Sequence, residues 1–330
     1  MGSFLSKHKR RSAKHVAPPT KVDPELSEGS SGTPIPPAQD IFSFTSKIHH
    51  DTYPEIDPTT KSPCAGKAVL VTGSNRGIGL AILLSYARAG ATHIALCSRT
   101  PCPDVPPQLR DAAVAAGYSE PTILSLTIDV TDQEQINTAA KELEEKWGRL
   151  DILINNAGFM APDAWEPLGR SGWKDWDYCM DVNLMGTARV TRAFLPVMLK
   201  GGDKTVVNMA SIGSIYADRG GESYSLAKFA VCRLAEFLCV GYKEEGVISY
   251  SIHPGGIDTP LARNMPPSFH HFLCDTEALS ADSIVFLTSK RRAWLGGRWV
   301  MCNWDMPELL AREKEIVEHE LLKFKCQGLC

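Results

Sequence analysis

This sequence of 330 residues lacks any long apolar run, any closely paired cysteines and any large excess of charge of either sign. Its longest hydrophobic stretches sit inside short strand and helix patterns, well below the roughly 20 residues that a membrane-crossing helix needs. The ten cysteines are scattered without a C-x-x-C pair, which argues against the common structural zinc sites and dithiol redox motifs, so no metal is expected. The first residues are basic and then rich in proline and serine rather than apolar. A secretory signal is therefore not expected, and the cysteines read as reduced thiols of a cytoplasmic chain. Cys97 and Cys232, in apolar stretches, read as buried thiols. A net charge of −3 supplies no basic field for nucleic acid. What is present is a 43% apolar composition, enough for a sizeable core.

Residues 1–40 are rich in Pro, Ser, Lys and Gly and read as a disordered arm. The arm opens Met1-Gly2-Ser3-Phe4-Leu5-Ser6, which fits the N-myristoylation pattern, and continues with Lys7, Lys9, Arg10, Arg11 and Lys14. One acyl chain plus a basic patch can hold a chain at a membrane surface. The plainer alternatives are a solvated basic arm or a nuclear-localisation-like run. Residues 41–65, with Phe42, Phe44, Tyr53, Pro54 and Pro58, read as an irregular extension along the domain edge.

From residue 66 to 305 the pattern alternates. Strands are expected at 67–72, 93–97, 122–128, 151–155, 204–209, 247–252 and 298–302. Helices are expected from the first glycine cluster to Ala89, where Gly90 is a stop signal, then over 106–116, 132–147, 173–199, 222–244 and 278–289. A last helix over about 307–324 lies within the closing segment, residues 306–330. Strands alternating with helices in this order give an α/β fold: a doubly wound parallel sheet of the Rossmann type, in a single domain covered on both faces.

Gly73-Ser74-Asn75-Arg76-Gly77-Ile78-Gly79 falls between the first strand and the first helix. Glycines there let the backbone turn tightly and approach a pyrophosphate at a helix N-terminus. The spacing is G-x-x-x-G-x-G rather than G-x-G-x-x-G. At the end of the second strand a carboxylate would bond the ribose of NAD and repel a 2′-phosphate. Here the chain reads Ser98-Arg99-Thr100, with no acid until Asp104. Arg99 and Arg76 offer two guanidiniums suited to a phosphate, which points to NADP(H). Tyr224 and Lys228, four apart, share one helix face. A nearby ammonium lowers a phenol's pKa, so the pair suits proton exchange with a substrate oxygen.

These residues resemble the short-chain dehydrogenase/reductase family over about residues 66–305. Thr72–Gly79 looks like its cofactor loop, Asp129-Val130 like the acid that contacts adenine, and Asn155-Asn156-Ala157-Gly158 like its strand-four signature. Asn183, Ser211, Tyr224 and Lys228 resemble its catalytic tetrad, Ser211 lying thirteen residues before Tyr224. His253-Pro254-Gly255-Gly256-Ile257-Asp258-Thr259 resembles the loop that holds the nicotinamide carboxamide through the Ile257 backbone and Thr259. Two flanks, Ile48–Pro54 and Trp294–Trp299 with Asn303-Trp304-Asp305, are similar to reductases of fungal secondary-metabolite pathways.

The resemblance implies an NADP(H)-dependent oxidoreductase that moves a hydride between cofactor and a carbonyl or alcohol. Tyr224 would then be the proton donor, Lys228 its electrostatic partner and ribose ligand, Ser211 the carbonyl's hydrogen-bond donor, and Asn183 the holder of a relay water. Met160, Trp165, Met265, Phe269 and Phe272 would make the substrate pocket apolar, although each read singly is more simply core or lid. The alternative is a catalytically idle cofactor-binding regulator or scaffold on the same fold, against which the complete tetrad counts. An epimerase or dehydratase would carry a larger C-terminal domain. Apolar residues on more than one face of the later helices, including Leu234, Phe237 and Leu238, imply a homodimer or homotetramer.

Overall fold

The short buried run Ala-Val-Leu-Val-Thr forms the first strand, β1 (Ala68–Thr72), with every residue buried. β-branched and leucine side chains in an uninterrupted run suit a strand covered on both faces. The computed structural model describes residues 40–162, 165–217 and 220–325. The arm, with Gly2 and its basic run, lies outside the described residues.

Six further strands follow: β2 (His93–Ser98), β3 (Thr122–Thr127), β4 (Ile152–Asn155), β5 (Thr205–Met209), β6 (Ile248–His253) and β7 (Trp299–Met301). All pair in parallel in the order β3-β2-β1-β4-β5-β6-β7. Leu70 is the central register point, opposite Ala95 on one side and Leu153 on the other. The order reverses direction between β1 and β4, and such a switch point opens a crevice at the carboxyl ends of the strands.

The connecting helices are α2 (Gly77–Arg88), α3 (Val105–Ala115), α4 (Gln133–Trp147), α5 (Trp173–Met180), α6 (Thr187–Leu199), α7 (Glu222–Gly241) and α8 (Glu277–Ser289). α2 packs between α3 and α8 on one face of the sheet, and α4 packs on α6 across the other. Two apolar cores result, one around Ile82, Tyr86, Leu109 and Ile284, the other around Ile136, Leu143, Phe194 and Met198. Local signals fix the helix ends. Asp132 caps α4 by accepting from the N–H groups of Glu134 and Gln135, and Gly148 closes it in the left-handed conformation. Gly90, just past α2, has φ +77°.

One helix expectation is refined and one is corrected. The stretch 173–199 is helical from end to end, but a wider π-type turn, Asp181–Gly186, lies between α5 and α6. The cause is Asn183, whose side-chain Nδ2 donates to the Cys179 carbonyl at 2.8 Å. That oxygen is the one its own main-chain N–H would take in an α-helix, so the ladder widens there. The closing segment is two short helices, α9 (Met306–Ala311) and α10 (Glu313–Glu318), rather than one. Glu320 and Leu322 then take positive φ, and the Leu322 carbonyl accepts from the Trp299 N–H at 2.8 Å, so the tail closes over β7.

The extension at 41–65 holds short helical turns, including α1 (Pro58–Lys61), and one antiparallel bridge, Ile48 to Trp304. It belongs to the same compact unit as the sheet. Among the described residues no helix is long and apolar enough to cross a membrane.

Candidate active site

A cavity of about 770 Å³ opens at the carboxyl ends of β1, β2, β4, β5 and β6. The glycine loop forms one wall. Gly73 has φ +62°, and a β-carbon there would lie 2.9 Å from the Ala157 Cα, so loop and strand-four signature pack backbone to backbone. Asn156 binds the two together: its Nδ2 donates to the carbonyls of Thr72 and Gly73 at 2.8 and 3.0 Å, while its N–H and that of Ala157 both donate to Thr72 Oγ1. Gly77 and Gly79 start α2, whose N-terminus faces the cavity.

Asn75, Arg76, Ile78, Arg99, Asp129, Val130, Gly158, Ile257 and Thr259 also line the cavity. Arg76 and Arg99 are exposed, and among the described residues neither is in an ion pair. Arg99 Nη1 donates to the Tyr178 hydroxyl at 3.2 Å. Asp129 closes its own turn by accepting from the N–H and hydroxyl of Thr131. Thr259 Oγ1 accepts from the Ala262 N–H at 3.1 Å, so this threonine also caps the turn that follows it.

Ser211, Tyr224 and Lys228 meet on the cavity wall between β5 and α7. Ser211 lies two residues past the end of β5 and starts a tight turn, its Oγ accepting from the Gly213 N–H at 3.1 Å. Lys228 Nζ donates to the Met209 carbonyl at 2.8 Å and lies 5.5 Å from the centre of the Tyr224 ring. Burial draws the Lys228 ammonium down to about 8. It pushes the Tyr224 phenol well up from its usual range, with the nearby Cys179 adding to the rise and a hydrogen bond from Ser211 opposing it. The net direction is opposite to the lowering expected from Lys228: desolvation disfavours the phenolate, and Tyr224 stays protonated through the neutral range.

Two expected site residues do not reach the cavity. Ser74 is buried, its Oγ donating to the Val71 carbonyl at 2.8 Å and accepting from the Cys97 N–H at 3.1 Å, so it fastens the loop to β2. Asn183 is buried behind the wall. Its Nδ2 donates to the Phe159 carbonyl at 2.6 Å and its Oδ1 accepts from the Phe159 N–H at 3.2 Å. That side chain clamps the segment after β4.

The five residues expected to make the pocket apolar all line the cavity, and Trp165 stacks on Phe269 with ring centres 5.0 Å apart. Sequence reasoning missed Tyr178 and Tyr216, and it missed Phe42, Ile48 and His50, which reach the cavity from the extension. Tyr216, five residues after Ser211, was open to suspicion; the extension gives no local signal because its partners lie more than 200 residues away.

The chain is similar to known proteins. The family model described as short chain dehydrogenase matches residues 67–268. The short chain dehydrogenases mpl6 of Monascus purpureus and citE of Monascus ruber are each 44% identical over 286 residues, covering 86% of this chain and 96% of theirs. The short chain dehydrogenase pigC of Monascus ruber is 35% identical over 93% of this chain and 99% of its own. Among solved structures, a carveol dehydrogenase from Mycobacterium avium in complex with NAD superposes with a TM-score of 0.63 at 21% identity, covering 73% of this chain and 97% of its own, a likeness of fold.

Proposed function

This chain belongs to the short chain dehydrogenase family, and we propose that it acts as an NADP(H)-dependent carbonyl reductase, reversible as an alcohol dehydrogenase, on a hydrophobic small molecule. Membership makes it an oxidoreductase that works with a nicotinamide cofactor. The observation that carries the finer reading is the meeting of Ser211, Tyr224 and Lys228 on the wall of a cavity that Trp165, Met265 and Phe269 also line.

The glycine loop and the α2 N-terminus fit a pyrophosphate, because the close backbone packing at Gly73 and Gly79 leaves amides rather than side chains at the wall. Arg76 and Arg99 would hold a 2′-phosphate, the Ile257 backbone and Thr259 the nicotinamide carboxamide, and Lys228 the adjoining ribose. The bound cofactor supplies a hydride. Tyr224, held neutral by burial, donates its proton to the substrate oxygen. Ser211 donates a hydrogen bond to that same oxygen and favours its developing charge. Lys228, whose cation lies beside the ring, stabilises the phenolate left behind. Asn183 keeps the Phe159 segment in place beside them.

The apolar wall suits a polyketide-like or other hydrophobic carbonyl compound, and the Monascus relatives support a place in fungal secondary metabolism. Assembly as a homodimer or homotetramer is part of the same reading. Leu226, Phe237 and Val240 of α7 are exposed, whereas Leu238 is buried within the fold. A monomer in sedimentation at micromolar concentration would refute that assembly. The reaction itself is tested by following oxidation of NADPH by the purified protein against hydrophobic ketones and quinones. Turnover with at least one apolar ketone is expected. Tight NADPH binding without turnover on any member of a broad panel would favour an idle cofactor-binding scaffold.

A further inference from the structure

The loop after β6 is held by a side chain that the reaction does not use. Asp275 precedes α8, and its Oδ2 accepts from the Gly256 N–H at 2.6 Å while its own N–H donates to the Gly256 carbonyl at 2.9 Å. A parallel bridge joins Ile257 to Asp275 in the same place. Gly255 is shaped for this contact: at φ +103°, a β-carbon on it would sit 2.6 Å from Asp275 Oδ2.

The other carboxylate oxygen is taken from far away in sequence. Asp275 Oδ1 pairs with His50 Nδ1 at 2.6 Å. The Asp275 side chain is only 5% exposed, whereas that of His50 is 60% exposed, so the histidine caps a carboxylate that is otherwise shielded from water. The extension is stitched down on both sides of His50. Thr276 donates its N–H to the His50 carbonyl at 3.0 Å and its hydroxyl to Asp51 Oδ1 at 2.6 Å. His49 exchanges main-chain and side-chain bonds with Asn303, and its Nε2 pairs with Asp305 at 3.0 Å.

We propose that Asp275, oriented by His50 of the N-terminal extension, is a positioning residue for the nicotinamide loop: it fixes Gly255–Ile257 at the height where the Ile257 backbone meets the cofactor. The inference rests on the reading above that this loop faces the nicotinamide. Its physical basis is simple. A loop of two glycines has many conformations to lose, and a bond from a carboxylate to the Gly256 amide selects one of them before cofactor arrives. A buried carboxylate with two oxygens and two fixed donors has one orientation, which a single donor would leave free to turn. The extension is thereby a working part of the site rather than packing alone.

The test uses the full-length protein and four variants: Asp275→Ala, Asp275→Asn, His50→Ala and His49→Ala. NADPH and NADH affinities are measured directly by fluorescence titration, alongside kcat, KM and thermal midpoint. Asp275→Ala should weaken binding of the preferred cofactor about ten- to a hundredfold, the range of one hydrogen bond to a charged group. Asp275→Asn keeps an oxygen acceptor for the Gly256 amide and should recover most of the loss. His50→Ala should raise the cofactor KM severalfold with a smaller change in kcat. His49→Ala cuts the other anchor of the extension and should lower the thermal midpoint with cofactor affinity unchanged. Wild-type cofactor affinity in both Asp275→Ala and His50→Ala would overturn the proposal, as would an equal loss in His49→Ala and His50→Ala. If Asp275→Ala does not fold, Asp275→Asn and the two histidine variants decide by the same criteria. Failure of the underlying functional reading looks different: the wild-type protein would then bind neither cofactor.

Discussion

Gly79→Ala perturbs the cofactor cradle through a single methyl group. Gly79 is buried in the first turn of α2. A β-carbon there would come inside 3.0 Å of three atoms: the Gly73 carbonyl oxygen, Asn156 Nδ2 at 2.6 Å and Ser74 Cα at 2.8 Å. None is the free end of a flexible side chain. Two are backbone, and the Asn156 amide is held by Thr72 and Gly73. The helix start and the loop must therefore part by a sizeable fraction of an ångström. Overpacking of this kind costs about 1–3 kcal/mol, partly offset by alanine's better helix propensity of about 1 kcal/mol. At roughly 2–4 °C per kcal/mol for a domain of this size, the thermal midpoint should fall by several degrees at most. The larger effect should be on binding. In wild type, cofactor at a hundred times its dissociation constant adds about 2.7 kcal/mol of stability. The variant, with its cradle displaced, should lose most of that rise at the same concentration. The assay is thermal unfolding with and without NADPH. Gly169→Ala, which meets nothing within 4 Å, serves as the neutral control. An unchanged midpoint together with an undiminished cofactor-induced rise would refute the packing argument.

Arg99→Asp should remove most of the preference for NADP(H) and add repulsion. Two charged contacts of about 1.5–3 kcal/mol each imply a wild-type preference of roughly two orders of magnitude or more. Comparable kcat/KM with NADPH and NADH in the wild type would show that neither arginine reaches the phosphate. His253 gives a stability signature in acid. Its Nδ1 accepts from the Ile212 N–H at 3.1 Å, and burial draws its pKa from 6.5 down to about 4. The folded state therefore binds fewer protons than the unfolded state in that window. Its contribution to stability is full above about pH 6.5 and is lost as pH falls towards 4, amounting to about 3 kcal/mol. His253→Gln should flatten urea-unfolding stability between those pH values relative to wild type; parallel curves for the two proteins would contradict the assignment.

The strands were legible because each is a short segment, an apolar run as in β1 or an alternating one as in β3 and β6, too short for a helix. All seven lie within a residue or two of their expected positions. The glycine loop and the Tyr224–Lys228 pair were legible for a related reason: their chemistry depends on residues close together in sequence. The widened turn at Asn183 was not legible, because an asparagine in a helical pattern shows only its weak propensity, whereas the π-type turn comes from its side chain taking the Cys179 carbonyl and the Phe159 backbone. The sign of the Tyr224 shift was missed for want of burial. Proximity of Lys228 can be read from spacing, but the desolvation that opposes it depends on everything packed around the ring. The work of the extension was also out of reach, since His50 and Asp275 are 225 residues apart and each alone is an ordinary polar residue.

The central claim is that Tyr224 gives the proton that completes carbonyl reduction. Tyr224→Phe keeps the ring and its packing and removes the hydroxyl. With an accepted ketone and saturating NADPH, kcat should fall about 10²–10⁴-fold, while NADPH affinity by fluorescence titration stays near that of wild type. Wild-type kcat in Tyr224→Phe, with cofactor bound equally well, would contradict the account.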